Sequence, residues 1–187
     1  MNNKKGNNTQ RKLAVRSAKE CAYLAVFVAL LIGGQLVLSA VPGVEIVTIL
    51  LIAYAFVFGV CRGMLAATAF SLLRQLVFPF SPTVLILYLV YYNFLTAVFG
   101  LLGRIVKRPL VCLWWLTAVA CVCTLCFTLL DDIITPLWYG FSDRAKQAYF
   151  YASLSFMIPQ VVCTAITVGM LLYPLQRVFR QAKKGLY

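Results

Sequence analysis

"VPGVEIVTILLIAYAFVFGVCRGMLAATAFSLLRQLVFP", residues 41–79, is the stretch that decides the fold. After a proline-glycine turn and Glu45, the chain runs apolar from Ile46 to Pro79, thirty-four residues broken mainly by "CRG" at Cys61 to Gly63. A bilayer core of about 30 Å requires about 20 apolar residues per helix, with roughly 17 as the lower limit. One span cannot use so many residues, and two spans must each be short. The stretch therefore predicts a tight hairpin that does not quite reach both membrane surfaces.

The rest of the chain fits the same environment. Of its 187 residues 63% are hydrophobic and 12% charged, and the mean hydropathy is +0.89, outside the soluble globular class. By the same ruler, spans are expected at Cys21 to Val41, twice within Ile46 to Pro79, then at Thr83 to Gly103, Leu110 to Leu130 and Phe150 to Leu175. The expected fold is all-α, a bundle of six transmembrane helices. Residues 1–19 form a polar basic segment, 20–176 the membrane domain and 177–187 a basic tail. The first apolar run is a full span rather than a short secretory segment, so it reads as a retained helix.

Charge placement gives an orientation. The chain holds 17 Lys and Arg against 5 Asp and Glu. Lys4, Lys5, Arg11, Lys12, Arg16 and Lys19 precede the first helix, and Arg62 joins the second to the third. Arg104, Lys107 and Arg108 join the fourth to the fifth, and Arg177, Arg180, Lys183 and Lys184 follow the sixth. All fall on one side of an even number of spans. The positive-inside rule makes that side, with both termini, cytoplasmic. The other side receives "PGVE", "PFSP" and "DDIITPLWYGFSDRAKQ", an expected external loop of about nineteen residues. Cations grouped in this way are topology signals, and no nucleic-acid partner is expected.

On the first helix Ala18, Ala22, Ala25, Ala29 and Gly33 project within about 80° of one another, a groove of small side chains. Such faces let helix backbones approach closely, either inside the chain's own bundle or against another membrane protein. "GVCRG", Gly59 to Gly63, repeats the spacing at a helix boundary, where a turn accounts for it. Polar groups collect at the external level. Glu45 and Arg74 can pair there, to brace the hairpin or to meet a ligand. Gln35, Tyr88, Tyr92, Asn93, Asp131, Gln160 after the helix-breaking Pro159, Trp138 and Tyr139 lie at the same depth, an aromatic and hydrogen-bonding set suited to a flat organic ligand. Trp114 and Trp115, at the other end of the fifth helix, read as interfacial belt residues.

The chain has no histidine and no glycine-rich phosphate loop, so no metal, cofactor or ATP-hydrolysing role is expected of it. The seven cysteines lie in or beside apolar segments, which argues against a disulfide framework.

Six helices with both ends inside, an alanine-rich first helix, and a proline, small residue, Val, Glu turn leading into "IVTILLIAYAFVFG" resemble the S-component of an energy-coupling factor (ECF) vitamin transporter. The resemblance covers about Lys12 to Arg180, with Gly43 where asparagine is expected. It implies a bacterial cell-membrane subunit, not an enzyme, that captures a vitamin at the external face. Its implied partners are a transmembrane coupling protein carrying two cytoplasmic ATPases, met through Ala18, Ala22, Ala25 and Ala29. By resemblance cobalamin or a precursor comes first as cargo, with riboflavin-like heterocycles behind it. Two other readings stay open: a small membrane scaffold or immunity-type protein without a ligand, and a membrane-embedded enzyme using Asp131 and Asp132.

Overall fold

A computed structural model describes residues 18–39, 46–106 and 111–186. Every regular element among them is a helix: α1 (Ala18–Leu38), α2 (Ile46–Phe58), α3 (Val60–Val77), α4 (Pro82–Ile105), α5 (Leu113–Trp138) and α6 (Asp143–Leu186). All except α2 are long and apolar enough to cross a membrane. With 13 residues, α2 rises only about 20 Å, too short to span by itself.

The hairpin expected in the deciding stretch is present, and Gly59 makes it. Its φ of 89° and ψ of 173° lie in a region open essentially to glycine. The chain reverses there, and a methyl group added to Gly63 would stand 2.9 Å from the Ala55 Cβ. The two helices therefore touch across the turn, which falls at Gly59 alone, while "CRG", the expected break, belongs to the first turn of α3.

Because α2 is apolar on every side, it can be satisfied only by being surrounded. Every residue from Val47 to Phe58 is buried. Around it stand α1, α3, α4 and α6. Lipid is as apolar as leucine, so close approach rather than escape from water holds these helices together. Gly100 and Gly103 of α4 provide that approach. A methyl at Gly100 would lie 2.7 Å from the Val60 nitrogen, and one at Gly103 would collide with the Phe56 carbonyl.

An aromatic stack locks one end of the bundle. Phe27 of α1 stacks on Tyr54 of α2 at 4.2 Å, Tyr54 stacks on Phe58 at 4.6 Å, and Phe179 of α6 meets Phe27 edge-on at 5.6 Å. At the same end Arg62 pairs with the buried Glu20 at 3.4 Å, and Lys183 donates to the Val57 carbonyl at 2.7 Å. This is the basic pole, where the start of α1, the α2–α3 turn and the ends of α4 and α6 meet.

Three expectations need correction. The sequence supplies six helices but not six membrane-length ones, since α2 is a core helix. The external loop is not nineteen residues long: α5 runs on to Trp138 and α6 begins at Asp143, leaving residues 139–142 as the connection. Hydrogen bonds across that helix pair, from Tyr149 to Asp131 and from Ser153 to Asp132, engage the acids that suggested a loop. Pro159 does not break α6, which continues for 44 residues through both Pro159 and Pro174. Membrane helices tolerate proline where neighbouring groups and local adjustments take up the freed carbonyl.

Candidate functional site

At the pole opposite the cation cluster, α3 carries Arg74 near its last turn. Its Nε donates to Gln35 Oε1 of α1 at 3.0 Å, and Gln35 Nε2 donates to the Tyr88 hydroxyl of α4 at 3.0 Å. Three helices are tied by one continuous polar chain. The guanidinium also faces two rings, with its carbon 4.5 Å from the Phe78 centroid and 4.8 Å from that of Tyr88. Such cation–π contacts strengthen when desolvated, to about 2 kcal/mol. Among the described residues the hydrogen bond of Arg74 is made by Nε.

Beneath this bridge lies an aromatic floor. Tyr88 meets Tyr92 edge-on at 5.0 Å, and Phe70 of α3 stacks on Tyr88 at 6.1 Å. Phe127 of α5 reaches Tyr91 at 4.6 Å and Tyr88 at 6.0 Å. Asn93 sits deeper on α4, accepting from Thr68 at 3.2 Å and donating to the Leu89 carbonyl at 2.7 Å.

A second group belongs to α5 and α6. Asp131 accepts from Thr135 at 2.7 Å and from the Tyr149 hydroxyl at 2.8 Å. Ser153 donates to one oxygen of Asp132 at 2.8 Å, while the other oxygen is buried without a hydrogen bond. Thr128 donates to Gln160 at 3.3 Å, and the Thr124 and Thr164 hydroxyls meet at 3.1 Å. Tyr139 connects to this group through Phe141, which lies 6.1 Å from Tyr139 and 6.0 Å from Tyr149.

The expected site residues thus fall into two sets. Gln35, Arg74 and Tyr88 converge directly, with Tyr92 against Tyr88 one turn deeper and Asn93 next to it. Asp131, Gln160 and Tyr139 gather on the α5–α6 pair, and Phe127 bridges the sets. Trp138 is exposed on the rim. Glu45, expected beside Arg74, lies outside the described residues, and the described polar partner of Arg74 is Gln35. Phe78, Phe127 and Tyr149 were not among the expected residues. Phe78 follows Arg74 by one helical turn and Phe127 precedes Asp131 by one, so i,i+4 spacing could have found both.

The five small residues of α1 stand apart from all this. Ala18, Ala22, Ala25, Ala29 and Gly33 are exposed, whereas Phe27, Val28 and Leu31 on the opposite face are buried in the bundle. Trp114 and Trp115, the expected belt, are 87% and 77% exposed. All seven cysteines are free thiols. Around Arg74, donors, acceptors and ring faces thus meet one another across α1, α3 and α4, with Tyr88 and Tyr92 buried in the contact. Compared with protein-family models, curated proteins and solved structures, the chain matches none.

Proposed function

We propose that the protein is the substrate-binding membrane subunit of an ATP-driven micronutrient importer of the ECF type. In this reading the Arg74 pole faces outward and captures a vitamin-like ligand, and the basic pole with both chain ends lies in the cytoplasm of a bacterial cell. Ligand contacts fall to Gln35, Arg74, Tyr88 and Tyr92, with Asp131, Tyr139 and Gln160 on the far side. The small-residue edge of α1 receives a transmembrane coupling protein that carries two ATPases.

The observation that carries the reading is the exposure of that edge. A row of small side chains left exposed among the described residues of a membrane helix suits close approach by another helix. The test is to purify the protein in detergent, identify co-purifying small molecules by mass spectrometry, and ask whether an ECF coupling complex binds it. A captured heterocycle together with a captured coupling complex is the expected result. Neither one appearing would favour a ligand-free scaffold, for which the hydrogen-bonded chain from Arg74 through Gln35 to Tyr88 is a structural brace.

A further inference from the structure

The basic pole contains an open cleft of about 580 Å³ between the ends of α2, α4 and α6, lined by Phe56, Val57, Gly103, Arg180, Lys183 and Lys184. That volume falls within the roughly 300–1,000 Å³ of ordinary ligand sites. Half of the lining residues are cations and the others offer apolar surface or backbone. Arg180 and Lys184 are one helical turn apart and exposed, so both heads can reach one anion.

Lys183 is committed differently. It donates to the Val57 carbonyl at the C-terminal end of α2, where a cation is favoured by the exposed carbonyls. It lies well past the apolar part of α6, and burial, followed by the nearby Arg62 and Arg180 charges, pushes its ammonium below the usual lysine range. Cations that crowd one another in this way create a local potential that an anion relieves.

We propose that this cleft binds a phosphate group, held by Arg180 and Lys184 with Lys183 behind them. The phosphate can belong to the headgroup of an anionic phospholipid or be a free phosphate, and the apolar wall of Phe56 and Val57 suits the glycerol and acyl part of a lipid. Basic clefts between membrane helices are suited to such headgroups because each cation near the surface adds its own attraction to the anion. The site is at the opposite pole from the Arg74 bridge and does not depend on the importer reading.

Native mass spectrometry of the delipidated full-length protein in detergent, offered equal phosphatidylglycerol and phosphatidylcholine, tests it. Wild type is expected to retain phosphatidylglycerol preferentially, and Arg180→Gln with Lys184→Gln to lower its affinity by roughly 10- to 30-fold. Arg144→Gln with Lys146→Gln, at the opposite pole, is expected to change nothing. The single variants at 180 and 184 provide smaller steps should the double variant fold poorly. A parallel titration with inorganic phosphate, read by thermal shift, separates the sources: a shift without phosphatidylglycerol preference assigns the cleft to free phosphate. If neither probe distinguishes wild type from the Arg180 and Lys184 variants, or if the opposite-pole variant loses as much, the proposal is overturned.

Discussion

Arg74 concentrates the chemistry of the pole opposite the basic cluster in one side chain. A charged group at membrane depth is costly unless it is paired or reaches water, and here an amide and two ring faces share the task. Arg74→Ala removes the bond to Gln35 and both ring contacts together. It is expected to cost about 1–3 kcal/mol. A melting point lower by several degrees in detergent is the corresponding readout. Arg74→Lys keeps the charge but lacks the planar fork, so it should recover only part of the loss. A double-mutant cycle with Gln35→Ala should then give a coupling energy of about 0.5–3 kcal/mol. Additive losses would show that the two side chains do not act together. The sequence revealed Arg74 as a cation needing a partner, since a lone charge in an apolar run is conspicuous. It did not reveal that the partner would be Gln35, because pairing across thirty-nine residues depends on how α1 packs against α3.

Among the elements, α1 and α4 use small residues in opposite ways. Gly100 and Gly103 of α4 are filled by the backbone of the α2–α3 turn, whereas the α1 row is uncovered. Substitutions should separate the two roles. Gly100→Val overpacks an interior contact and is expected to destabilise the protein by about 1–3 kcal/mol, measured as a lowered melting point. On the importer proposal, Ala25→Trp or Ala29→Trp should leave the melting point and the ligand affinity of the isolated protein nearly unchanged while abolishing uptake in cells. Loss of affinity and uptake together would mean that the row belongs to internal packing. Helix periodicity alone found the α1 row. It could not say which face would be covered, because every face of α1 is apolar and hydropathy does not rank them.

For the whole molecule the distribution of charge is the leading feature. Lys19, Arg62, Arg104, Arg177, Arg180, Lys183 and Lys184 belong to helix ends and a turn at one pole, and Asp131, Asp132 and Asp143 to the other. If the positive-inside rule sets the orientation, exposed Cys61 at the α2–α3 turn faces the cytoplasm. A membrane-impermeant thiol reagent applied to intact cells should then spare Cys61 and label an introduced cysteine at Ser142 in a Cys61-retaining background. The opposite pattern would invert the protein. The corrections made at this scale share one cause. A thirty-four-residue apolar stretch divided by a glycine turn measures as two short spans, but α2 is enclosed by four helices and therefore need not reach both surfaces. The nineteen-residue connection read as a loop because Asp, Pro and Gly are loop formers in water. In the folded chain those acids face Tyr149 and Ser153 across the α5–α6 pair, and the helices continue.

Composition and spacing were enough to determine an all-helical membrane chain, a hairpin within residues 46–79 and a separation of most cations from most acids, because these follow from local hydropathy and charge counting; the exact turn residue, Gly59, came from the structure. Tertiary structure alone decided that α2 would be the enclosed core, that Gln35 would join Arg74 to Tyr88, and that three cations would border a cleft beside Val57. Those outcomes depend on which faces meet across long sequence separations, and a one-dimensional pattern in which nearly every face is apolar does not encode that choice visibly.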